Sequence, residues 1–409
     1  MTTGRERVGQ RSETVRRANL GAIVRELYAR GPLSRSELVR RTGLTRSAIR
    51  VLTGELAAAG FVSEGPAPLL GVPGRPSHLV RLVPDGAVVL ALEIAVDSSA
   101  AAVVGLDGSV EGWVRRERTV SDDPGERAAG LAGLAGRALG DRSVADVVGI
   151  AVAVPGVVRR RDGLVSMAPN LGWRDVPFGE MTAHALGVAE PVAVANEADL
   201  AALAELHRGA ARGEADVVLV SGAIGVGGGL VAGGRPLLGA AGYGGEIGHM
   251  PVSPAGAACR CGSIGCWETE VGLEAILARG GRPPGGGLAA LDGLLRDATA
   301  GDESARNALD ETGAWLGIGL AGLVNLLNPR LVVLGGVFET VFPFVAERIE
   351  AELDRRVLPA PRALVRVVPA KLGPDAPLRG AAELAFESLL EDPARWFARG
   401  RAATERRSA

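Results

Sequence analysis

Lysine is almost absent from this chain of 409 residues: Lys371 is the single one among 45 basic side chains. Aromatic residues make up only 3%, so a core must be built mainly from Ala, Val and Leu. Cysteine is rarer still. The three present, Cys259, Cys261 and Cys266, fall within one short stretch. An odd, clustered set excludes a disulfide framework and favours a reducing compartment, with the thiols serving metal or redox chemistry. No apolar run reaches the roughly 18 residues that a membrane-spanning helix needs. Residues 1–17 are polar and Arg-rich and lack the apolar segment of a secretory signal. A cytoplasmic protein is expected. Glycine is plentiful, at 59 residues, but without a Gly-X-Y period, which excludes collagen. A hydrophobic content of 47% against 22% charged argues against wholesale disorder, and the length predicts two or three domains.

The formal net charge of −2 conceals a division. Residues 1–82 hold 14 Arg and 6 Glu, a net +8, and the remainder carries −10. A basic head on an acidic body points to a nucleic-acid module fused to something else; a merely charged tail is the alternative. Within the head, Leu20, Ile23, Val24 and Leu27 recur at i, i+3, i+4, i+7, an amphipathic helix that Gly31-Pro32 ends. Ser34 with Glu37 three residues later predicts a capping box opening a second helix, which carries Leu38 and Val39 inward and stops at Gly43. Thr45 is expected to cap a third helix with Ile49, Leu52 and Leu56 inward and Arg46, Ser47 and Arg50 outward. A recognition helix places side chains of this kind against base edges and phosphates. Strands around 61–63 and 78–82 then predict a wing whose Gly/Pro-rich tip offers Arg75 to a minor groove. Thr45, Arg46, Ser47, Arg50 and Arg75 are therefore the expected DNA contacts, a three-helix protein-interaction module being the alternative.

From residue 87 onward, apolar runs alternate with helical stretches. Strands are expected over 87–95, 100–106, 146–154, 217–220 and 331–334, with helices near 124–140, 197–212, 303–327 and 339–356. Such alternation indicates an α/β body, whose length fits two lobes flanking a ligand cleft. The run Cys259-Arg-Cys261-Gly-Ser-Ile-Gly-Cys266, with His249 ten residues upstream, supplies three thiolates and an imidazole. That is a closed tetrahedral set for a structural zinc ion, three free buried thiols being the alternative.

Taken with Gly245-Glu246-Ile247-Gly248-His249 and the Cys-x-Cys-Gly-x-x-Gly-Cys-x-Glu run ending at Glu268, the sequence resembles the ROK family of repressors, open reading frames and sugar kinases. Further matches are Val154-Pro155-Gly156, Pro169-Asn170-Leu171-Gly172-Trp173, Asn196-Glu197-Ala198-Asp199, the Gly-rich run 222–229, and Asn328-Pro329 before Gly335-Gly336. They cover roughly residues 85–385, and the winged head resembles the repressor branch, which includes regulators of xylose and N-acetylglucosamine genes. The resemblance implies an actin-like, hexokinase-type two-lobed ROK domain behind an N-terminal winged helix-turn-helix, and a homodimer or homotetramer. It divides the chain into a head (1–82), a first lobe (83–200), a second lobe with the zinc knuckle (201–385) and a C-terminal tail (386–409), helical and then disordered. It places Asn170, Asn196, Glu197, Glu246, His249 and Glu268 around a sugar or sugar phosphate. Trp173 and Trp267 serve equally as core or as cleft wall.

Kinases of the family carry an Asp-x-Gly-Gly-Thr-Lys-like phosphate loop after the first strand. Here the corresponding residues are Glu93-Ile94-Ala95-Val96-Asp97-Ser98, which lack both glycines and add a carboxylate. The base position holds Glu197 where the kinases have Asp, and phosphoryl transfer depends on positioning. The Gly-rich run 222–229 still permits a phosphate turn, which by itself is weak evidence. The reading that follows is a sugar-responsive transcriptional regulator of carbohydrate metabolism genes, a repressor, without enzymatic activity. It has double-stranded operator DNA as partner and no membrane association. A sugar kinase with an accessory DNA-binding head is the enzyme alternative, and a protein-binding partner without a free-sugar effector is the third.

Overall fold

The computed structural model describes residues 4–66, 78–117 and 121–397. Its elements in chain order open with helix α1 (Gly4–Arg30), strand β1 (Leu33–Ser34), α2 (Arg35–Thr42), α3 (Arg46–Ala58), β2 (Val62–Pro66) and β3 (His78–Leu82). Then come β4 (Val88–Ile94), β5 (Ser98–Gly105), β6 (Val110–Glu117), α4 (Pro124–Leu139), β7 (Ile150–Val154), β8 (Val157–Arg159), β9 (Leu164–Ala168), β10 (Trp173–Val176), α5 (Phe178–Leu186) and β11 (Ala193–Asn196). The next stretch holds α6 (Glu197–Arg208), β12 (Val217–Gly222), β13 (Val226–Ala232), β14 (Arg235–Pro236), α7 (Trp267–Val271), α8 (Leu273–Arg279), α9 (Gly287–Ala300) and α10 (Glu303–Leu327). The chain finishes with β15 (Leu331–Gly336), α11 (Val337–Arg356), α12 (Pro359–Arg362), β16 (Arg366–Pro369) and α13 (Ala376–Glu391). The class is α/β, as the alternation of apolar runs implies.

Packing divides the chain into two units. One draws its described residues from 1–152, 179–193 and 381–409, the other from 153–178 and 194–380. The units interleave along the sequence, whereas the division at 82/83, 200/201 and 385/386 was contiguous, and α13 runs unbroken through 385/386.

In the first unit, Leu20, Ile23, Val24 and Leu27 of α1 are fully buried with Leu38, Ile49 and Leu56. The head sheet has the order β1-β3-β2, so the wing hairpin gains a short third strand. The head also packs on the C-terminal stretch. Tyr28 meets Phe386 edge-on at 5.7 Å, Phe61 lies 5.9 Å from Phe397, Arg25 donates to the Leu390 carbonyl, and Arg17 pairs with Asp392. A Cβ on Gly21 would fall 2.6 Å from the Glu391 carbonyl oxygen, so α1 comes close only because that position is bare. The same unit carries the adjacent strands β4, β5 and β6, of which β4 and β5 are buried along their whole length.

The second unit carries a sheet of order β14-β13-β12-β15-β16, with β15 parallel to β12 and to β16, and a smaller antiparallel sheet β10-β9-β8. Its core sets Trp267, Leu316, Leu320, Phe338 and Ile349 against β12 and β15.

Two elements differ from the sequence reading. The strand expected over 146–154 begins only at Ile150; before it, Val144–Asp146 form a single 3-10 turn. Ser143 N donates to Asp146 Oδ2 at 3.0 Å, closing a local capping box that competes with strand pairing. The helix expected over 197–212 ends at Arg208 because Glu205 turns its carboxylate back on the chain. This buried carboxylate accepts from Ala210 N (2.6 Å), Lys371 N (2.9 Å) and Leu372 N (2.8 Å), tying the end of α6 to the segment after β16. Glu205→Ala removes three charge-assisted hydrogen bonds at once and should cost about 2–4 kcal/mol. Urea unfolding of the purified variant checks this, and an unchanged midpoint would show that water replaces the carboxylate without loss. Among the described residues, no helix is long and apolar enough to cross a membrane.

Candidate functional site

In the head, Ser34 Oγ accepts from Glu37 N at 3.2 Å while Ser34 N donates to Glu37 Oε2 at 2.8 Å, the reciprocal capping box. Gly43, at φ 71°, closes α2 in the left-handed conformation that glycine adopts most easily. Thr45 Oγ1 then accepts from Ala48 N at 3.2 Å and opens α3. Arg46, Ser47 and Arg50 all stand exposed on the first turns of α3. Most neighbouring arginines are already paired: Arg16 with Glu55 (2.6 Å), Arg30 with Glu26 (3.0 Å) and Arg35 with Glu64 (2.7 Å). Arg46 and Arg50 meet no acid among the described residues. An uncompensated positive edge at a helix N-terminus suits a polyanion. Arg75 lies outside the described residues.

In the second unit, His249, Cys259, Cys261 and Cys266 bring four ligand atoms within 4.8 Å of one another. Cys259 Sγ lies 3.7 Å from His249 Nδ1, and Cys261 Sγ lies 3.7 Å from Cys266 Sγ. Zinc–sulfur bonds of about 2.3 Å at tetrahedral angles make edges of about 3.8 Å, so the cluster fits a tetrahedral ion. The chain turns tightly enough because Gly262 and Gly265 sit at φ 93° and 67°. Burial pushes Cys266 up to about 12, with the neighbouring thiols adding to it, and burial raises Cys259 too, so these two thiols resist ionising until a cation neutralises them.

Of the expected sugar ligands, His249 belongs to this knuckle, and Glu246 and Glu268 adjoin it. Glu246 precedes the turn Ile247–His249, and Gly245 before it takes φ 100°. Glu268, on the first turn of α7, accepts from Val226 N at 2.9 Å through Oε2, while its Oε1 stands 4.0 Å from Cys259 Sγ. A Cβ on Gly225 would reach within 2.6 Å of that same Oε2, so the bare loop is what lets Glu268 in. Desolvation raises the pKa of Glu246, and Glu268 raises it further, against the pull of His249. Asn170 accepts from Arg260 Nη1 at 3.4 Å, which links the Pro169–Leu171 turn to the knuckle. Asn196 is largely committed to structure. Its Oδ1 accepts from Ala198 N and Asp199 N, capping α6, and its Nδ2 donates to the Gly156 carbonyl at 2.8 Å. Glu197 is the first residue of α6. Trp267 is core: it is fully buried, and its Nε1 donates to the Trp315 carbonyl. Trp173 is buried too, 4.8 Å from Phe178.

Asp199 was not singled out from the sequence. It is the third residue of α6, one of the two whose N–H Asn196 caps, and Arg160 and Glu246 both act on it. A carboxylate in the first turn of a helix reads as ordinary dipole compensation, and only the fold brings it beside Glu246.

The Gly-rich run 222–229 forms the hairpin between β12 and β13. Its turn is confined to Ala223–Gly225, with Ala223 N donating to Gly225 O at 2.9 Å, and Val226 onward forms β13. A Cβ on Gly229 would fall 2.6 Å from the Ala198 carbonyl oxygen and one on Gly227 2.8 Å from the Ala198 Cβ. Gly227 and Gly229 thus admit α6.

A model of the ROK family matches residues 89–388, nearly three-quarters of the chain. The chain belongs to the ROK family. A xylose repressor of Bacillus spizizenii is 26% identical over 380 residues, spanning 92% of this ROK chain and 97% of the repressor. A glucokinase of Halalkalibacterium halodurans is 36% identical over 255 residues, but this alignment spans 58% of the chain and 76% of the glucokinase. Among solved structures, a ROK family transcriptional regulator described as a homologue of the Escherichia coli MLC protein superposes with a TM-score of 0.75 at 25% identity, over 96% of this chain and 99% of that one.

Proposed function

We propose that this ROK protein is a sugar-responsive DNA-binding repressor of carbohydrate genes, acting in the cytoplasm as a homodimer or homotetramer. The observation that carries the reading is the reach of the similarity: alignment with a xylose repressor runs through head and body together, over 92% of the chain. Thr45, Arg46, Ser47 and Arg50 meet the operator, with Arg75 on the wing. Asn170, Glu197, Glu246, His249 and Glu268 face the effector, and Asn196 fixes the start of α6 beside them. His249, Cys259, Cys261 and Cys266 hold a structural zinc ion, which cross-links the loop presenting Glu246 and Glu268. His249 then offers Nδ1 to the metal and keeps Nε2 for a hydroxyl. The head (1–82) is the reading module, and the ROK body (83–385) is the sensor.

The β4–β5 hairpin supports sensing over phosphorylation. Ala95 N donates to Ser98 O at 2.9 Å, leaving only Val96 and Asp97 at the tip. Arg127 lies buried beneath, donating to Ser99 Oγ at 3.2 Å and to the Ala95 and Val96 carbonyls at 3.5 Å. Arg115 closes the other side on Glu93 (3.0 Å) and Ser98 Oγ (3.1 Å). Arginines of α4 and β6 thus occupy the Glu93 carboxylate, the Ser98 and Ser99 hydroxyls and the Ala95 and Val96 carbonyls of the hairpin. The identity with a glucokinase favours one second reading, a sugar kinase carrying a DNA-binding head.

Operator titration with and without a bound sugar separates these readings. A sensor should shift operator affinity about 5–150-fold, with an equal reciprocal effect of DNA on sugar affinity, and Glu246→Ala should abolish the response while keeping basal DNA binding. Identical curves reject the sensor. Sugar-dependent ADP production that Glu197→Ala removes would put the kinase first.

A further inference from the structure

We infer that the cysteine knuckle is a peroxide-sensitive site, in which Cys261 meets the oxidant, Cys266 resolves it, and the disulfide they form switches off the response to sugar. The inference rests on the zinc and sensor readings above for its consequence, and on the thiols alone for its chemistry.

The three thiols are not equivalent. Cys261 is exposed, whereas Cys259 and Cys266 are buried. Gly262, Ser263 and Ile264, which follow Cys261 in the chain, are exposed as well, so a small polar oxidant reaches this thiol without any opening of the fold. A redox-active cysteine needs such access and a second thiol close behind it. Cys266 is that second thiol. Its Sγ lies 3.7 Å from Cys261 Sγ and needs no access of its own. Cys259 Sγ is set against other groups, His249 Nδ1 at 3.7 Å and Glu268 Oε1 at 4.0 Å.

The loop lets the pair close. A disulfide is about 2.05 Å long, so the two sulfurs approach by roughly 1.7 Å. The Cys266 end is anchored: Gly265 N donates to Ala257 O at 2.9 Å, Val252 N donates to Gly265 O at 2.9 Å, and a Cβ on Gly265 would run into the Ser253 carbonyl. The Cys261 end is open. A Cβ on Gly262 would meet nothing within 4 Å, so Cys261 is the partner that moves.

With hydrogen peroxide the chemistry balances in two steps, written for the thiols. Cys261 Sγ attacks one peroxide oxygen, the O–O bond breaks, and a sulfenic acid and water form. Cys266 Sγ then attacks the Cys261 sulfur, the S–O bond breaks, and the departing hydroxide leaves with the Cys266 proton as a second water. The two sulfurs lose two electrons and the peroxide gains them. His249 and Cys259 then remain as two donors, too few for a closed tetrahedral set. Glu268 stands two positions beyond Cys266 with Oε1 facing Cys259, so its bracing goes with the metal. A thiol pool reverses the bond, since exposed disulfides are the labile ones.

The test uses the full zinc-loaded chain under increments of hydrogen peroxide. A chromogenic chelator reads zinc release, a thiol reagent counts free cysteines, and peptide mass mapping without reduction reads the pairing. Zinc should leave as the thiol count falls from three to one, with Cys261 linked to Cys266, and dithiothreitol with added zinc should restore both. Operator titration of the oxidised chain should lose its sugar-dependent shift and regain it on reduction. Cys261→Ser, its fold checked by circular dichroism, should oxidise at least about tenfold more slowly. The native chain carries the test should that variant not fold. Three thiols surviving excess peroxide, or a bond that includes Cys259, overturns the assigned pair. A Cys261–Cys266 bond in a chain that never held zinc supports the pair and overturns the zinc reading. A fully oxidised chain with its native sugar response overturns the switch, whereas a reduced chain without any sugar response overturns the sensor reading itself.

Discussion

Cys266→Ser should yield a protein without bound metal, with a melting temperature several degrees lower and sugar affinity at least tenfold weaker, whereas the native chain should carry about one zinc ion. Between Pro251 and Cys266 the chain has no regular element beyond two isolated bridges, Pro251 with Cys266 and Ala258 with Ile264. A few backbone bonds, such as Cys259 N to Ser263 O (2.8 Å) and Gly265 N to Ala257 O (2.9 Å), shape the loop without closing it. Four ligand atoms within 4.8 Å of one another supply that closure once an ion joins them. A structural zinc ion is worth about 10–16 kcal/mol in isolated fingers, of which a loop braced by a folded domain needs only a part. Cys266 is fully buried next to Trp267, which plugs the core against α10, so the damage spreads inward as well as toward Glu268. Serine is a poor zinc ligand and leaves two thiols crowded together without a cation. Elemental analysis of protein purified without chelators, with a thermal melt, checks the prediction. Metal-free native protein would refute the site, and full metal loss with unchanged sugar affinity would refute only its link to Glu246 and Glu268.

The head was legible because its signals are local. Ser34 with Glu37, Thr45 before an apolar i, i+3, i+7 face, and Gly43 at the helix end each act within four residues, and the structure shows those caps formed. β1 was not legible, since two residues become a strand only by pairing Leu33 with Val80 and Ser34 with Leu79 across the head. The clustering of His249 with the three cysteines was legible because these residue types are rare in the chain and fall close together in it. β13 was hidden for the opposite reason. Val226 to Ala232 is too rich in glycine to read as a strand, and its glycines make sense only once Ala198, Ala202 and Ile247 are seen pressed against them. Asp199 belongs to the same class. Its neighbours along the chain say helix start; its neighbour in space is Glu246, 47 positions further on.

The double substitution Arg46→Ala, Arg50→Ala should abolish operator binding at moderate salt while leaving sugar affinity and melting temperature unchanged. Both side chains are exposed and none of the described acids pairs with them, so removal leaves no buried partner behind and the fold loses nothing measurable. Their neighbours on the inner face, Ile49 and Leu52, keep α3 in place. The two arginines lie at i and i+4 in the first turns, where a helix entering the major groove brings side chains to bases and phosphates. A base-reading arginine is worth about 1–3 kcal/mol, and a two-headed dimer loses each contact twice. A phosphate contact shows itself differently, lowering the slope of log affinity against log salt by about 1 for each one removed. The single variants therefore assign the roles: whichever relaxes base preference at constant slope reads sequence, and whichever flattens the slope at constant preference holds the backbone. Fluorescence anisotropy with the native operator and with point-substituted operators, across salt concentrations, measures both. Native affinity and slope in the double variant would take α3 out of the recognition role, leaving the wing as the part of the head that meets DNA.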